Sequence, residues 1–183
     1  MRKLPIIALV LAAMLAVTPR AHAADSAFRA IDVMSSTVMQ EGQSSFAGLA
    51  ARARVHPSRL INELELLPGI EYWRNSSTVS PYDIHTQRKD ATLSIAMRYN
   101  FEWKTMHPYA GLGYGIHFLS SKVDAPAFGL NNATDSVTKG GLSGLGGMTF
   151  TLTPNLDNFI ELEYHHIPDY RQLKINWGLG FHL

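Results

Sequence analysis

The residues best suited to chemistry lie near the C-terminus, where two adjacent histidines stand between carboxylates. Glu163, His165 and Asp169 are residue types that can bind zinc, but their spacing matches no specific metal motif. The polar segment 120–140 contains Asp124 and Asp135 without the regular ligand spacing of a calcium loop. The chain has no cysteine, which excludes disulfides, cysteine-based zinc sites and thiol catalysis. The sequence therefore predicts no metal centre and no cofactor.

A larger set of charged residues recurs at alternate positions of several segments, and both signs of charge are present. In a confined interior these side chains need partners, because an unpaired buried ion is strongly destabilising. A short turn follows Arg54, so antiparallel pairing predicts Arg54 beside Glu63. Arg52 would then pair with Glu65, one step deeper. The predicted structural network consists of Arg52, Arg54, Glu63, Glu65, Glu71, Arg98, Glu102, Glu161, Glu163 and Lys174.

The elements that must hold these residues are β-strands, because apolar residues alternate with polar or small ones. Every second residue from Leu173 to Leu183 is apolar, which is the period of a strand and not of a helix. The mature chain has no apolar stretch of about 18 residues, so it cannot cross a membrane as helices. The same period predicts seven strands near 46–56, 63–73, 91–103, 109–119, 141–152, 159–167 and 172–183.

The connections between these strands alternate in length. Those at 56–62, 104–108 and 153–158 are short, whereas 74–90 and 120–140 are long and polar. Bacterial outer-membrane barrels have short periplasmic turns, longer external loops and an even number of strands. One more strand must therefore precede residue 46. We place it at about 27–36, with Ile31 and Val33 on one face, although Arg29 breaks the pattern.

The N-terminal residues 1–23 have the pattern of a cleaved signal peptide. A short basic start precedes an apolar run over 4–17, and residues 21–23 read Ala-His-Ala, which fits a cleavage site. The sequence thus predicts export through the Sec pathway and a single mature domain at 24–183. Loss of three basic residues leaves 13 basic and 15 acidic ones, a net charge of −2 that gives no support for nucleic-acid binding.

Which face of the strands points into the barrel decides whether the barrel is soluble or membrane-embedded. A soluble barrel turns its apolar face inward, whereas a membrane barrel turns it to lipid and has a polar interior. Aromatic residues near strand ends favour the second arrangement, because they could form interfacial girdles. These aromatics are Tyr72, Trp73, Tyr99, Phe101, Trp103, Tyr109, Tyr164 and Trp177. We predict an all-β fold, an eight-stranded antiparallel up-and-down transmembrane β-barrel with both ends in the periplasm.

The signal peptide and two stretches of the chain resemble the small OmpA/OmpX-type outer-membrane β-barrel superfamily. Residues 107–115 are similar to its "PYxGxGxG" strand, and residues 152–164 to its "LTPN…LELEY" hairpin. The last strand is similar to the C-terminal signal read by the outer-membrane assembly machinery, although it ends in Leu183 where the family prefers Phe. The resemblance implies a bacterial outer-membrane protein. Members serve as envelope anchors, adhesins, stress proteins or enzymes.

Enzymes of this class include lipid A deacylases, which place a His and a Ser two residues later on a lipid-facing strand. Pro168 stands two residues after His166 here, so the resemblance implies no nucleophile. We therefore expect a structural or interaction protein, not an enzyme, with surface loops near 74–90 and 120–140. A lipid A-modifying enzyme, a narrow pore and a soluble lipocalin-like periplasmic carrier remain alternatives. The carrier would reverse the two faces.

The expected partners follow from this location. They are outer-membrane lipid and lipopolysaccharide around the barrel, and the outer-membrane assembly machinery at the C-terminal strand. We expect a monomer that binds no nucleic acid.

Overall fold

Eight antiparallel strands close into one barrel in the computed structural model. The structure describes residues 27–40, 44–57, 61–80, 84–103, 106–126 and 130–183. The strands are β1 (Phe28–Gln40), β2 (Phe46–Val55), β3 (Leu64–Val79), β4 (Ile84–Asn100), β5 (Met106–Ala125), β6 (Leu130–Thr153), β7 (Leu156–Ile167) and β8 (Tyr170–His182).

The predicted fold class is confirmed, and the first strand inferred from topology is β1. Each strand pairs with its neighbour in sequence, and β1 pairs with β8 to close the sheet. No helix among the described residues is long and apolar enough to cross a membrane. The predicted signal peptide lies outside the described residues and stays a prediction.

The pairing register shows how the barrel closes. One circuit through paired residues starts at Ala30, passes His165 and Gln172, and returns to β1 at Gln40, ten residues further along. This stagger is the shear of the barrel, and it tilts the strands against the barrel axis. Eight strands enclose an interior only wide enough to be filled by side chains.

Two hairpins are much longer than the sequence pattern predicts. Segments 74–90 and 120–140, expected as loops, are mostly paired strand: β3 and β4 stay paired out to Val79 and Ile84, and β5 and β6 out to Ala125 and Leu130. Polar and charged residues are in the majority there, so no apolar alternation marks the strands, whereas backbone pairing continues. We call this side the hairpin end. The opposite side, with both ends of the described chain and the connections β2–β3, β4–β5 and β6–β7, is the turn end.

The two faces of the barrel are inverted relative to a water-soluble barrel. Leu112, Leu49 and Leu142 point outward and are 72%, 67% and 64% exposed, whereas Asp32 and Lys174 point inward and are fully buried. This arrangement is the opposite of what a lipocalin-like carrier requires. Most of the predicted aromatic girdle lies outside, but Trp73 and Tyr109 are buried. For these two the prediction was wrong, because they lie in the inward register of β3 and β5.

Glycine allows the interior to close around one aromatic ring. Gly178 on β8 lies opposite Phe159 on β7 and Met34 on β1. A Cβ built at Gly178 would come within 2.5 Å of Phe159 Cζ and 2.6 Å of the Val33 carbonyl oxygen. A side chain at this position therefore requires the packed core to move.

We expect Gly178→Ala to lower the free energy of unfolding by about 1–3 kcal/mol, the usual range for overpacking. The measurement is the urea midpoint of the refolded barrel in detergent. Gly146→Ala is the matched control, because its Cβ would have its nearest neighbour, the Tyr109 carbonyl oxygen, at 3.8 Å. Equal midpoints for the two variants would contradict the packing described.

Candidate functional site

The interior near the turn end is occupied by a cluster of paired charges. Arg52 donates from Nη1 and Nη2 to the two carboxylate oxygens of Glu161 at 2.9 and 2.8 Å. Arg54 makes ion pairs with Asp32 at 2.7 Å and with Asp157 at 2.8 Å. Asp32 also lies 3.4 Å from Arg52 Nε and so links the two arginines. Two cations and three carboxylates thus join strands β1, β2 and β7 across the barrel.

Neutral side chains complete this cluster. Phe159 is fully buried and lies beneath both guanidinium groups, whose carbons are 5.4 Å (Arg52) and 6.0 Å (Arg54) from its ring centroid. Tyr109 and Asn176 each donate a hydrogen bond to Glu161, both at 3.0 Å. Glu161 therefore accepts from three side chains, which favours one packing arrangement of the interior.

A second pair closes the interior beside β3 and β4. Arg98 Nη2 lies 2.7 Å from the Glu65 carboxylate, and its guanidinium stacks on Tyr109 at 4.5 Å. Below this layer an open vestibule of about 480 Å³ faces the turn end, lined in part by Arg29, Glu102 and His107. Above it the middle of the barrel has a cavity of about 30 Å³, enough for about two water molecules.

The half of the interior toward the hairpin end holds the histidines. His117 Nδ1 lies 2.8 Å from Asp90, and His165 Nε2 lies 2.9 Å from Glu163. The two imidazole rings meet edge to face with centroids 5.5 Å apart. Lys174, fully buried, pairs with Glu71 at 2.5 Å. These contacts connect β3, β4, β5, β7 and β8.

The predicted network residues are placed as follows. Side-chain ion pairs involve Arg52, Arg54, Glu65, Glu71, Arg98, Glu161, Glu163 and Lys174. Glu63 precedes β3, and its backbone carbonyl accepts a hydrogen bond from the Asn100 amide at 2.9 Å. Glu102 lies beyond the end of β4 and is exposed, because the chain turns back there through a bond from the Phe101 amide to the Pro108 carbonyl.

The two predicted pairs of β2 with β3 were wrong. Arg52 lies opposite Gly69, four residues further along β3 than Glu65, and Val55 lies opposite Leu66. The connection between the strands is longer than a tight turn, so the register shifts and the arginines reach across the interior instead of along the hairpin. Because the prediction assumed a tight turn, every predicted pair between β2 and β3 was shifted by the same four residues.

The carboxylates that complete the cluster were missing from the predicted set. Asp32 lies between the outward residues Ile31 and Val33 of β1, and Asp157 follows Leu156 at the start of β7. Both obey the same alternation as the residues that were found. The signal was therefore present, but the pattern of β1 was weak and Asp157 was assigned to a turn.

The histidine segment does not form the candidate metal site. Asp169 lies in the turn between β7 and β8 and pairs with Lys139 at 2.5 Å, while His165 points inward to Glu163. Within the described ranges, no three or more His, Asp and Glu side chains are grouped closely enough to hold a metal ion. His166 lies on the outer face and is exposed.

The closed barrel, apolar outside and filled with paired charges inside, defines the class as a small membrane-type β-barrel. No protein-family model and no curated protein sequence matches the chain. Its fold is similar to that of solved outer-membrane proteins at low sequence identity.

Three such structures illustrate the likeness. Neisserial surface protein A has a TM-score of 0.59 and 21% identity, over 86% of this chain and 98% of that one. The attachment invasion locus protein Ail of Yersinia pestis, solved with the heparin analogue sucrose octasulfate, has a TM-score of 0.58 and 18% identity, over 85% and 97%. A major outer membrane protein of Thermus thermophilus has a TM-score of 0.62 and 14% identity, over 88% and 100%. The chain therefore has the fold of the small outer-membrane barrels, as the sequence resemblance implied.

Proposed function

We propose that this chain is a structural and interaction protein of the bacterial outer membrane, whose barrel anchors two long hairpins at the cell surface. The observation that carries the proposal is the inversion of the two faces. Large apolar side chains cover the outside, and Asp32, Glu161 and Lys174 are buried inside with partners. In water that exterior would be a large exposed apolar surface, which soluble monomers avoid.

The height of the apolar face supports membrane insertion. On β3 the outward residues from Leu64 to Tyr72 are apolar, and on β5 so are those from Ala110 to Phe118. At ~3.3 Å per residue and a tilt of ~40°, each run spans about 20 Å along the barrel axis. This is close to the apolar band of about 25 Å in outer-membrane barrels.

A filled interior favours anchoring over transport. The vestibule at the turn end is closed by Arg54, Arg98 and Asp157, and the cavity above it has room for only about two water molecules. The proposed role of the polar network is therefore structural: it packs the interior and holds neighbouring strands in register. A narrow pore would need these ion pairs to separate.

The long hairpins are the surfaces available for interaction. β3–β4 and β5–β6 continue as paired strands well past the apolar band. The names of two similar structures, a surface protein and an attachment invasion locus protein, are consistent with surface interaction. We further propose export by a cleaved signal peptide at 1–23, assembly through β8, and a monomer surrounded by lipid and lipopolysaccharide.

A protease-cleavable tag tests this topology. Inserted after Ser77, on the β3–β4 hairpin, the tag should be cut on intact cells by added protease, because the hairpin end faces outward. Inserted after Asn155, in the turn between β6 and β7, the tag should be cut only after the outer membrane is opened. Cleavage at Asn155 on intact cells would reverse the proposed orientation.

A further inference from the structure

Two cations face each other where the apolar outer face of the barrel ends. On β3 the outward register passes from Tyr72 to Arg74, and on β4 it passes from Ala91 to Lys89. Arg74 and Lys89 are direct cross-strand partners. We call these two residues the boundary pair.

The boundary pair is unfavourable by itself. Like charges directly opposite one another destabilise an antiparallel sheet. Among the described residues, no carboxylate forms an ion pair with Arg74 or Lys89. The buried arginines of the same barrel all have such partners. An anion from outside the chain would remove the repulsion.

A second boundary position repeats the pattern on another side of the barrel. Arg171 at the start of β8 lies opposite His166 on β7, and both are exposed in the outward register above Leu173 and Tyr164. At the turn end, by contrast, the last outward-facing residues are Tyr99 on β4 and Phe181 on β8. Arg74, Lys89 and Arg171 therefore place outward-facing cations at the hairpin-end rim of the apolar face on β3, β4 and β8.

We propose that the boundary pair binds a phosphate group of an anionic membrane lipid in the leaflet at the hairpin end. The inference rests on the proposed function, since it requires the apolar face to lie in a bilayer. An arginine fork and a lysine ammonium are both phosphate ligands, the first bidentate and the second a point charge. The apolar side chains directly below give the acyl chains of the same molecule a surface to cover. A lipid therefore fits both halves of the site, whereas a free anion fits only the charged half.

Lipid retention tests the inference. The refolded barrel is placed in nanodiscs of phosphatidylcholine with a minority of diphosphoryl lipid A, and bound lipid A is counted by native mass spectrometry after mild extraction. Arg74→Gln with Lys89→Gln should weaken lipid A binding by about 30-fold. This is the change in dissociation constant expected when two cations are removed from an anionic surface. Arg88→Gln with Lys122→Gln is the matched control, because it also removes two positive charges from the long hairpins but keeps the boundary pair: Arg88 lies in the inward register of β4, and Lys122 lies on β5 two residues beyond Ser120, the partner of Lys89.

The outcomes separate this inference from the proposed function. Weak binding by the boundary variant and normal binding by the control support a lipid site. Equal binding by the two variants overturns it, and so does displacement of lipid A by inorganic phosphate, which would indicate a site for soluble anions. If no form of the barrel enters nanodiscs, the proposed function fails, and the inference fails with it.

Discussion

Replacing Arg52 by methionine should lower the free energy of unfolding of the barrel by about 3–5 kcal/mol, the usual cost of removing one partner of a buried ion pair. Arg52 is nearly buried and holds Glu161 by two parallel hydrogen bonds. Its removal leaves Glu161 charged in a confined interior and deprives Asp32 of one of its two cations. The measurement is the denaturant midpoint of the refolded protein, followed by the gel shift between folded and heated forms.

A double-mutant cycle makes this prediction specific to the observed pairing. Adding Glu161→Gln should restore part of the loss, with a coupling energy of about 1–3 kcal/mol, because residues in one polar network are not additive. The cycle of Arg52→Met with Glu65→Gln is the control. Glu65 pairs with Arg98, so its coupling to Arg52 should be the smaller of the two. A larger coupling with Glu65 would mean that β2 and β3 pair in another register.

Replacing Leu112 by arginine should largely prevent assembly of the barrel in a membrane. Leu112 is outward-facing in the middle of the apolar run of β5 and is 72% exposed. An arginine facing lipid near the bilayer midplane costs about 2–4 kcal/mol, a large share of the about 5–15 kcal/mol that stabilises a typical domain. The fraction of Leu112→Arg that reaches the heat-modifiable folded form in lipid vesicles should fall accordingly.

Ser120→Arg provides the control for charge and size. Ser120 lies in the same outward register of the same strand, beyond the apolar run that ends at Phe118. Arginine there meets water or headgroups, and its repulsion from the directly opposite Lys89 is small beside the cost of a charge in lipid, so folding into vesicles should fall much less than for Leu112→Arg. If Leu112→Arg and Ser120→Arg fold equally well, Leu112 does not face lipid.

The sequence predicts this fold well wherever burial imposes a period. In β8 the five apolar residues from Leu173 to Phe181 alternate with polar or small ones, and the structure has the same alternation of exposed and buried side chains. The pattern disappears in the outer parts of β3–β6, since water on both faces of a strand imposes no period. Those parts were expected as loops, but backbone pairing extends through them.

The sequence predicts which residues line the polar interior better than it predicts which residues they contact. Alternation identifies Arg52, Glu161 and Lys174 as inward residues without information on what they meet. Their partners depend on the register of every strand and on closure of the barrel, which brings Glu161 of β7 to Arg52 of β2. Such contacts join residues more than a hundred positions apart, as Arg52 and Glu161 show. Local sequence cannot specify them.

Tryptophan quenching by brominated lipid tests the orientation of the two faces most directly. Trp177 points outward on β8 and is 57% exposed, whereas Trp73 points inward on β3 and is 2% exposed. In bilayers of lipid brominated along the acyl chain, a variant that keeps only Trp177 (Trp73→Phe, Trp103→Phe) should be strongly quenched. A variant that keeps only Trp73 (Trp103→Phe, Trp177→Phe) should keep most of its fluorescence. Equal quenching of the two, or stronger quenching of Trp73, would contradict a barrel whose apolar face meets lipid.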